Sequence, residues 1–402
     1  MVTEISHRHG GNLLRFSAWL PAVLIGGLLL TETAAAQPFV VLPVNTNLKK
    51  QSNDINSMLM EGRFANPAQQ TLFDQFYQDF SLPRWTTPEG MTNIPQFRHD
   101  LGNQLRKHRA GAPPAVHDHL NTLLLEFMQK LVAGHFHPAV QVNAMLLIGD
   151  LNRVEQPPTP MPEALEVLIA AVQNNKFSDA VRTIAMVGIA RHVAVPGGIA
   201  DEEARKTLTA AMLHVAADDL PAGSARGGRE WILGQALDIL GRLGAVGENN
   251  AVFTLLTKTL ADDKLSLYTR TRAAEALGRL NYAGASGINP VATAALLGQF
   301  AIDACREELQ RAKKTSDPVS NRLVKQRLGA VLLALGGGED ANRKGIMPLA
   351  SEPNQQAFLD ELQKSITPLT DLLDDKKHAE DDLATPVGEL QTKLEAWLKK
   401  KG

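Results

Sequence analysis

Residues 140–149 read Val140-Gln141-Val142-Asn143-Ala144-Met145-Leu146-Leu147-Ile148-Gly149, and the same frame returns at 181–190, 232–241 and 269–278. Each copy opens on a β-branched residue (Val140, Val181, Ile232, Thr269), with alanine four positions later (Ala144, Ala185, Ala236, Ala273). Eight positions later comes an aliphatic residue (Ile148, Ile189, Leu240, Leu277). Residues spaced by four share a helix face, and the small central residue lets a neighbouring helix approach closely. The pattern predicts four copies of one packed helix. A weaker fifth copy ends at Leu335-Gly336, with Arg327 in the β-branched place and Val331 in the small one.

An amphipathic segment precedes each copy, so the copies read as second members of helix pairs. Leu120, Leu123, Leu124, Phe127, Met128 and Leu131 make one apolar stripe of helical period. Later helices are predicted at 162–173, 179–192, 201–217 and 228–243, with no competing strand pattern. The repeated segments resemble the B helices of HEAT repeats, with Val181-Arg182 and Thr269-Arg270 in the places of that family's Val-Arg pair. The closing residues Gly149, Ala190, Gly241 and Gly278 lie 41, 51 and 37 positions apart, against ~40 to 47 for a HEAT or armadillo unit. The resemblance implies an all-α chain, an α-α superhelix (HEAT-like solenoid) over 116–340. It also implies that Arg182 and Arg270 tie one repeat to the next by hydrogen bonds. The long interval points to an insertion at 218–228, Asp218 to Gly228, read first as a flexible connector and second as a functional loop.

The flanks differ from the array. Residues 37–115 form a less regular N-terminal segment that holds eight of the chain's 20 aromatic residues. A helix is predicted around Ala68–Phe80, a loop over Leu82–Gly90, where two prolines and a glycine interrupt, and a second helix over Pro95–Lys107. Trp85 and Tyr77 are candidates for an exposed ligand platform, with coverage of the array's open apolar end as the other reading. Residues 341–402 read as C-terminal capping helices, ending on Val387, Leu390, Leu394, Trp397 and Leu398 along one side.

Residues 1–36 have the three parts of a secretory signal peptide: His7, Arg8, His9 and Arg15, an apolar run from Phe16 to Leu30, and Ala34-Ala35-Ala36 before Gln37. The run spans 15 residues, short of the ~20 that cross a bilayer, so cleavage is expected over an uncleaved anchor. The mature chain is then expected in the periplasm or secreted, without membrane insertion.

Several chemistries are excluded. A formal net charge of −2 argues against nucleic acid as the partner. The one cysteine, Cys305, permits no intramolecular disulfide and no multi-cysteine zinc site, and is read as buried on a helix. No GxSxG, Walker A, HExxH or GxGxxG motif occurs, and the His-Glu dipeptides of HEAT-like deoxyhypusine hydroxylases are absent. Gly336-Gly337-Gly338 reads as a helix end. The basic stretch from Arg306 to Arg327 is interrupted by Glu307, Glu308 and Asp317, as on a solvated surface.

Six of 11 histidines lie between 99 and 137: His99, His108, His117, His119, His135 and His137. The pairs His117/His119 and His135/His137 would suit a metal only if both faced one edge. No catalytic, cofactor or metal residue is assigned. The expected function is a non-catalytic scaffold that binds a protein or peptide partner. The alternative is a metal or small-ligand protein, enzymatic or not, centred on 99–137.

Overall fold

Four of the five inner helices of the array begin on a side chain that accepts a backbone amide, as helix starts require. His137 caps α6, and Ser178, Ser266 and Ser320 cap α8, α12 and α14. The computed structural model describes residues 38–107, 114–195, 198–223, 225–338, 343–374 and 383–399. The secretory leader expected at 1–36 and His108 lie outside them. The helices belong to one unit, Phe39–Gly402.

The order of elements among the described residues is α1 (Ser52–Glu61), α2 (Pro67–Gln75), α3 (Pro88–Met91), α4 (Ile94–Leu105), α5 (Ala115–Ala133) and α6 (Pro138–Asp150). A hairpin of β1 (Asn152–Glu155) and β2 (Pro158–Pro160) leads to α7 (Pro162–Gln173) and α8 (Asp179–Ala194). There follow α9 (Glu202–Ala216), α10 (Ala225–Leu243), α11 (Ala251–Ala261) and α12 (Leu267–Arg279). The chain ends with α13 (Pro290–Thr315), α14 (Asn321–Gly336), α15 (Pro353–Asp374) and α16 (Ala384–Lys399). Among the described residues the fold is all-α apart from that hairpin.

Packing follows the order of the chain. Each of α5, α7, α9, α11 and α13 lies on the helix after it, while α6, α8, α10, α12 and α14 form a continuous inner row. The weak fifth copy at 327–336 therefore falls on α14, which packs on α12 as α12 packs on α10. The closing small residues make this row tight. A Cβ on Gly149 would stand 3.1 Å from Gly188 Cα, one on Gly241 2.7 Å from Ala276 Cα, and one on Gly278 2.4 Å from the Leu333 carbonyl oxygen. The helix ends at Gly337, whose φ of 75° is left-handed and whose amide donates to Leu333 O.

Three expectations for the flanks and linkers need correction. Leu82–Gly90 is not loop: α2 runs on through a π-helical turn, Phe76–Ser81, to a 3₁₀ turn, Pro83–Thr86, and then α3. Pro83 and Pro88 stand in the first turns of their elements, where the missing amide costs nothing. Trp85 and Tyr77 are 1% and 0% exposed, so they form no platform. They join Phe73, Phe76 and Phe80 in the core of the N-terminal segment, whose α1 and α4 pack on α5. The hairpin is the third difference, since its short, proline-bearing strands do not alternate.

At the other end α16 lies along α13, with α15 against both. Trp397 stacks on Phe358 with centroids 4.5 Å apart and occupies the space beside Gly298. Among the described residues no helix is long and apolar enough to cross a membrane.

Candidate functional site

The side chains that α10 and α12 leave half-buried keep one spacing. On α10, past Arg226 and Arg229 in its first turns, they are Trp231 and Gln235, continued by the buried Asp238 and the exposed Arg242; on α12 they are Tyr268, Arg272, Glu275 and Arg279. The intervals of four, three and four residues place each set on a single helix face. Trp231 matches Tyr268, Gln235 matches Arg272, Asp238 matches Glu275 and Arg242 matches Arg279 at the offset that separates Gly241 from Gly278. The repeat thus extends from the packed face to the open one.

This strip is bonded along its length. Gln235 Nε2 donates to the Tyr268 hydroxyl at 3.5 Å, and the Arg272 guanidinium lies 5.5 Å from the Tyr268 ring centroid while Nη1 donates to Glu275 at 2.8 Å. Asp238 accepts from Arg242 at 2.7 Å and from Arg279 on α12 at 2.5 Å. Burial pushes the Asp238 carboxyl up, but the two arginines outweigh it and hold the group below the usual carboxylate range.

At the start of α10 the strip opens into a cleft of ≈ 420 Å³ lined by Gly223, Arg226, Gly227, Glu230, Trp231, Ser266 and Tyr268. Its acidic wall is committed. Glu230 accepts from the Ser266 amide at 2.9 Å, the Thr269 hydroxyl at 3.2 Å and Arg226 Nε at 2.8 Å. Burial works against its charge, yet these bonds hold its carboxyl low. A Cβ at Gly227 or Gly228 would meet nothing within 4 Å, so glycine in this first turn keeps the cleft wide. The cleft therefore offers two aromatic rings over a fixed polar floor, a surface for apolar and hydrogen-bonding groups. Comparison with protein-family models, with curated proteins and with solved structures finds no match to this chain.

The stretch expected as an insertion at 218–228 is divided by the fold. Asp218 accepts from Arg182, and α10 already starts at Ala225, so Gly223, Arg226 and Gly227 reach the cleft as part of the helix entrance. Arg182 and Arg270 act alike. Each donates Nε to a carbonyl at the end of the preceding helix, Val172 or Leu260, at 2.9 Å. Each donates Nη2 to an aspartate further along the chain, Asp218 at 2.8 Å or Asp303 at 2.9 Å.

The histidine pairs do not converge. His117 Nε2 stands 3.6 Å from Glu155 of the hairpin, whereas His119 pairs with Asp74 at 2.5 Å. His135 and His137 flank the Phe39 ring, with centroids 5.3 and 5.1 Å away. Alternate residues in a helix diverge by about 200°, which sends His117 and His119 on α5 to different neighbours, whereas His135 and His137, between α5 and α6, share the Phe39 ring. Among the described residues no three His, Cys, Asp or Glu side chains gather as a metal site. Cys305 is buried, and burial pushes its thiol up to about 12. Arg306, Arg311 and Arg327 are paired with Glu395, Glu308 and Glu307 respectively.

A wider concavity, ≈ 1020 Å³, is lined by residues of α9, of α11 and of the turn between α10 and α11. Its arginines close a helix end. Arg205 donates to Leu243 O at 2.7 Å and Arg343 to Arg242 O at 2.8 Å, carbonyls that α10 leaves open at its C-terminus.

Trp231 and Tyr268 were not identified from the sequence, although the offset that matches Ile232 with Thr269 also matches these neighbours. Reading the repeat frame one residue earlier finds both.

Proposed function

We propose that the protein is an exported, non-catalytic interaction scaffold built from HEAT-like helix pairs, and that it binds an extended segment of a protein partner along α10 and α12. The observation that carries this reading is the half-buried Trp231/Tyr268 pair at the head of a strip with alternating polar groups. Aromatic rings in a concave, partly polar surface supply contact area at small entropic cost, and flanking side chains fix orientation. The Arg182 and Arg270 bonds support the HEAT-like assignment, because they link successive pairs through one arginine position. Export follows from the leader at 1–36, by sequence pattern alone.

Trp231 provides the assay. Trp85 and Trp397 are buried, so in the chain from Gln37 onward the tryptophan open to a collisional quencher is Trp231. A partner bound here should protect that fluorescence from acrylamide, and W231A and Y268A should each weaken capture from envelope extract by about tenfold, the effect of losing an interface aromatic. Unchanged quenching in the complex, together with full capture by both variants, would exclude this surface.

A further inference from the structure

A second cleft lies at the junction of the N-terminal segment with the array. It measures ≈ 390 Å³ and is walled by Arg98, His99 and Arg106 from α4 and its end, Asp150 at the end of α6, Asn152 and Glu155 of the hairpin, and Arg191 of α8. That volume is in the range of small-molecule sites.

The arginines here differ from those on four helices of the array. Every arginine on α9, α10, α12 and α13 lies within 4 Å of a carboxylate oxygen. Arg98, Arg106 and Arg191 have no carboxylate at that distance among the described residues. Their bonds go to neutral groups: Arg98 to the Asn143 side chain at 2.9 Å, Arg106 to that of Asn103 at 3.1 Å, and Arg191 to Gly149 O at 3.0 Å and the Asn152 side chain.

The local sequence brings the guanidinium groups to one face. Arg98, Gly102 and Arg106 recur at intervals of four, and the Arg106 guanidinium folds back so that Nη2 lies 3.4 Å from where a Gly102 Cβ would stand. A Cβ at 102 would just touch it. The carboxylates of the cleft offset this charge only at a distance, Asp150 acting on Arg98 and Arg191 and Glu155 on Arg106. Glu155 accepts from Asn152 at 3.1 Å and faces His117, and Asp150 stays outside 4 Å of all three arginines. Guanidinium groups gathered around a cleft with unspent donors match the geometry of carboxylate and phosphate oxygens.

We infer that this cleft binds the oxyanion of a small ligand, a carboxylate or a phosphate, between Arg98, Arg106 and Arg191. The inference is independent of the aromatic strip on α10 and α12.

Calorimetric titration of the full chain at low salt, with inorganic phosphate and separately with succinate, tests it. Saturable binding of at least one probe is expected, weakened about tenfold by R98Q and by R106Q, as loss of a charge-assisted hydrogen bond implies. R306Q, on an arginine away from the cleft, should bind as the parent does. Phosphate alone would assign a phosphate ester, succinate alone a carboxylate, and both the shared oxyanion chemistry. Arg106 is exposed, so R106Q should keep the parent's melting temperature and decides the matter if R98Q unfolds early. No saturable binding of either probe, or equal affinity in R106Q, overturns the inference.

Discussion

Arg182 on α8 donates from Nη2 to Oδ2 of Asp218 at 2.8 Å, joining two helix pairs through residues 36 positions apart. The arginine side chain is 3% exposed and the aspartate 31%. Removing the arginine leaves the Val172 carbonyl without its side-chain donor and the carboxylate with only Arg229, at 3.4 Å. R182A should therefore cost about 3 kcal/mol, and D218A less because water reaches its site. Urea melts of the two single variants and the double variant measure the coupling, and additivity would show that the pair is not linked.

Glycines in α12 and α14 should respond in opposite ways. A Cβ at Gly278 would sit 2.4 Å from the Leu333 carbonyl oxygen, and helix backbone does not yield easily. G278A should then cost about 2 kcal/mol through forced separation of α12 and α14. At Gly329 a Cβ meets nothing, so G329A should add about 0.5–1 kcal/mol of helix propensity. Thermal melts of the two variants should move in opposite directions.

Two histidines should titrate on opposite sides of the usual value. Burial, aided by Arg191, pulls His192 down from 6.5 to about 4. The unfolded chain then binds a proton that the native one refuses, and stability is lost as pH falls from about 6.5 to about 4. At 1.36 kcal/mol per unit this amounts to about 3 kcal/mol. Melts of the parent and of H192L over pH 7 to 4 should converge by that amount. The Glu155 carboxylate, opposed by burial and helped by Asp118, raises His117. Its contribution is complete below the unfolded value of 6.5 and is lost as pH rises through the folded one. Proton NMR should place its midpoint above 6.5 in the parent and lower in E155Q.

Cys305 should be silent in the native state. A thiol raised to about 12 carries almost no thiolate at pH 8, and the side chain is buried. An aromatic disulfide reagent should release no colour from the folded chain and one equivalent in denaturant. Rapid native labelling would mean that α13 opens.

Much of the array was legible because its signal is local and repeated. Ala144, Ala185, Ala236 and Ala273 mark the buried face of each inner helix, and Pro138, Pro162 and Pro290 mark helix starts by their missing amide. Ser178 and Ser266, each four residues before Arg182 and Arg270, carry the same repeat into the caps. The N-terminal segment was less legible. Its aromatics read equally as a surface or a core until Tyr77 and Trp85 had neighbours on every side.

The sites were the least legible part. His117 and Glu155 lie on different elements, as do Arg106 and Arg191, and Trp231 meets Tyr268 only because α10 and α12 run side by side. Periodicity in this chain determines which residues share a helix face, since that depends on 3.6 residues per turn and on side-chain size alone. Which faces meet, and therefore which arginines lack a carboxylate and which tryptophan stays open to water, depends on contacts between residues about 40 or more positions apart. Those were decided by tertiary packing.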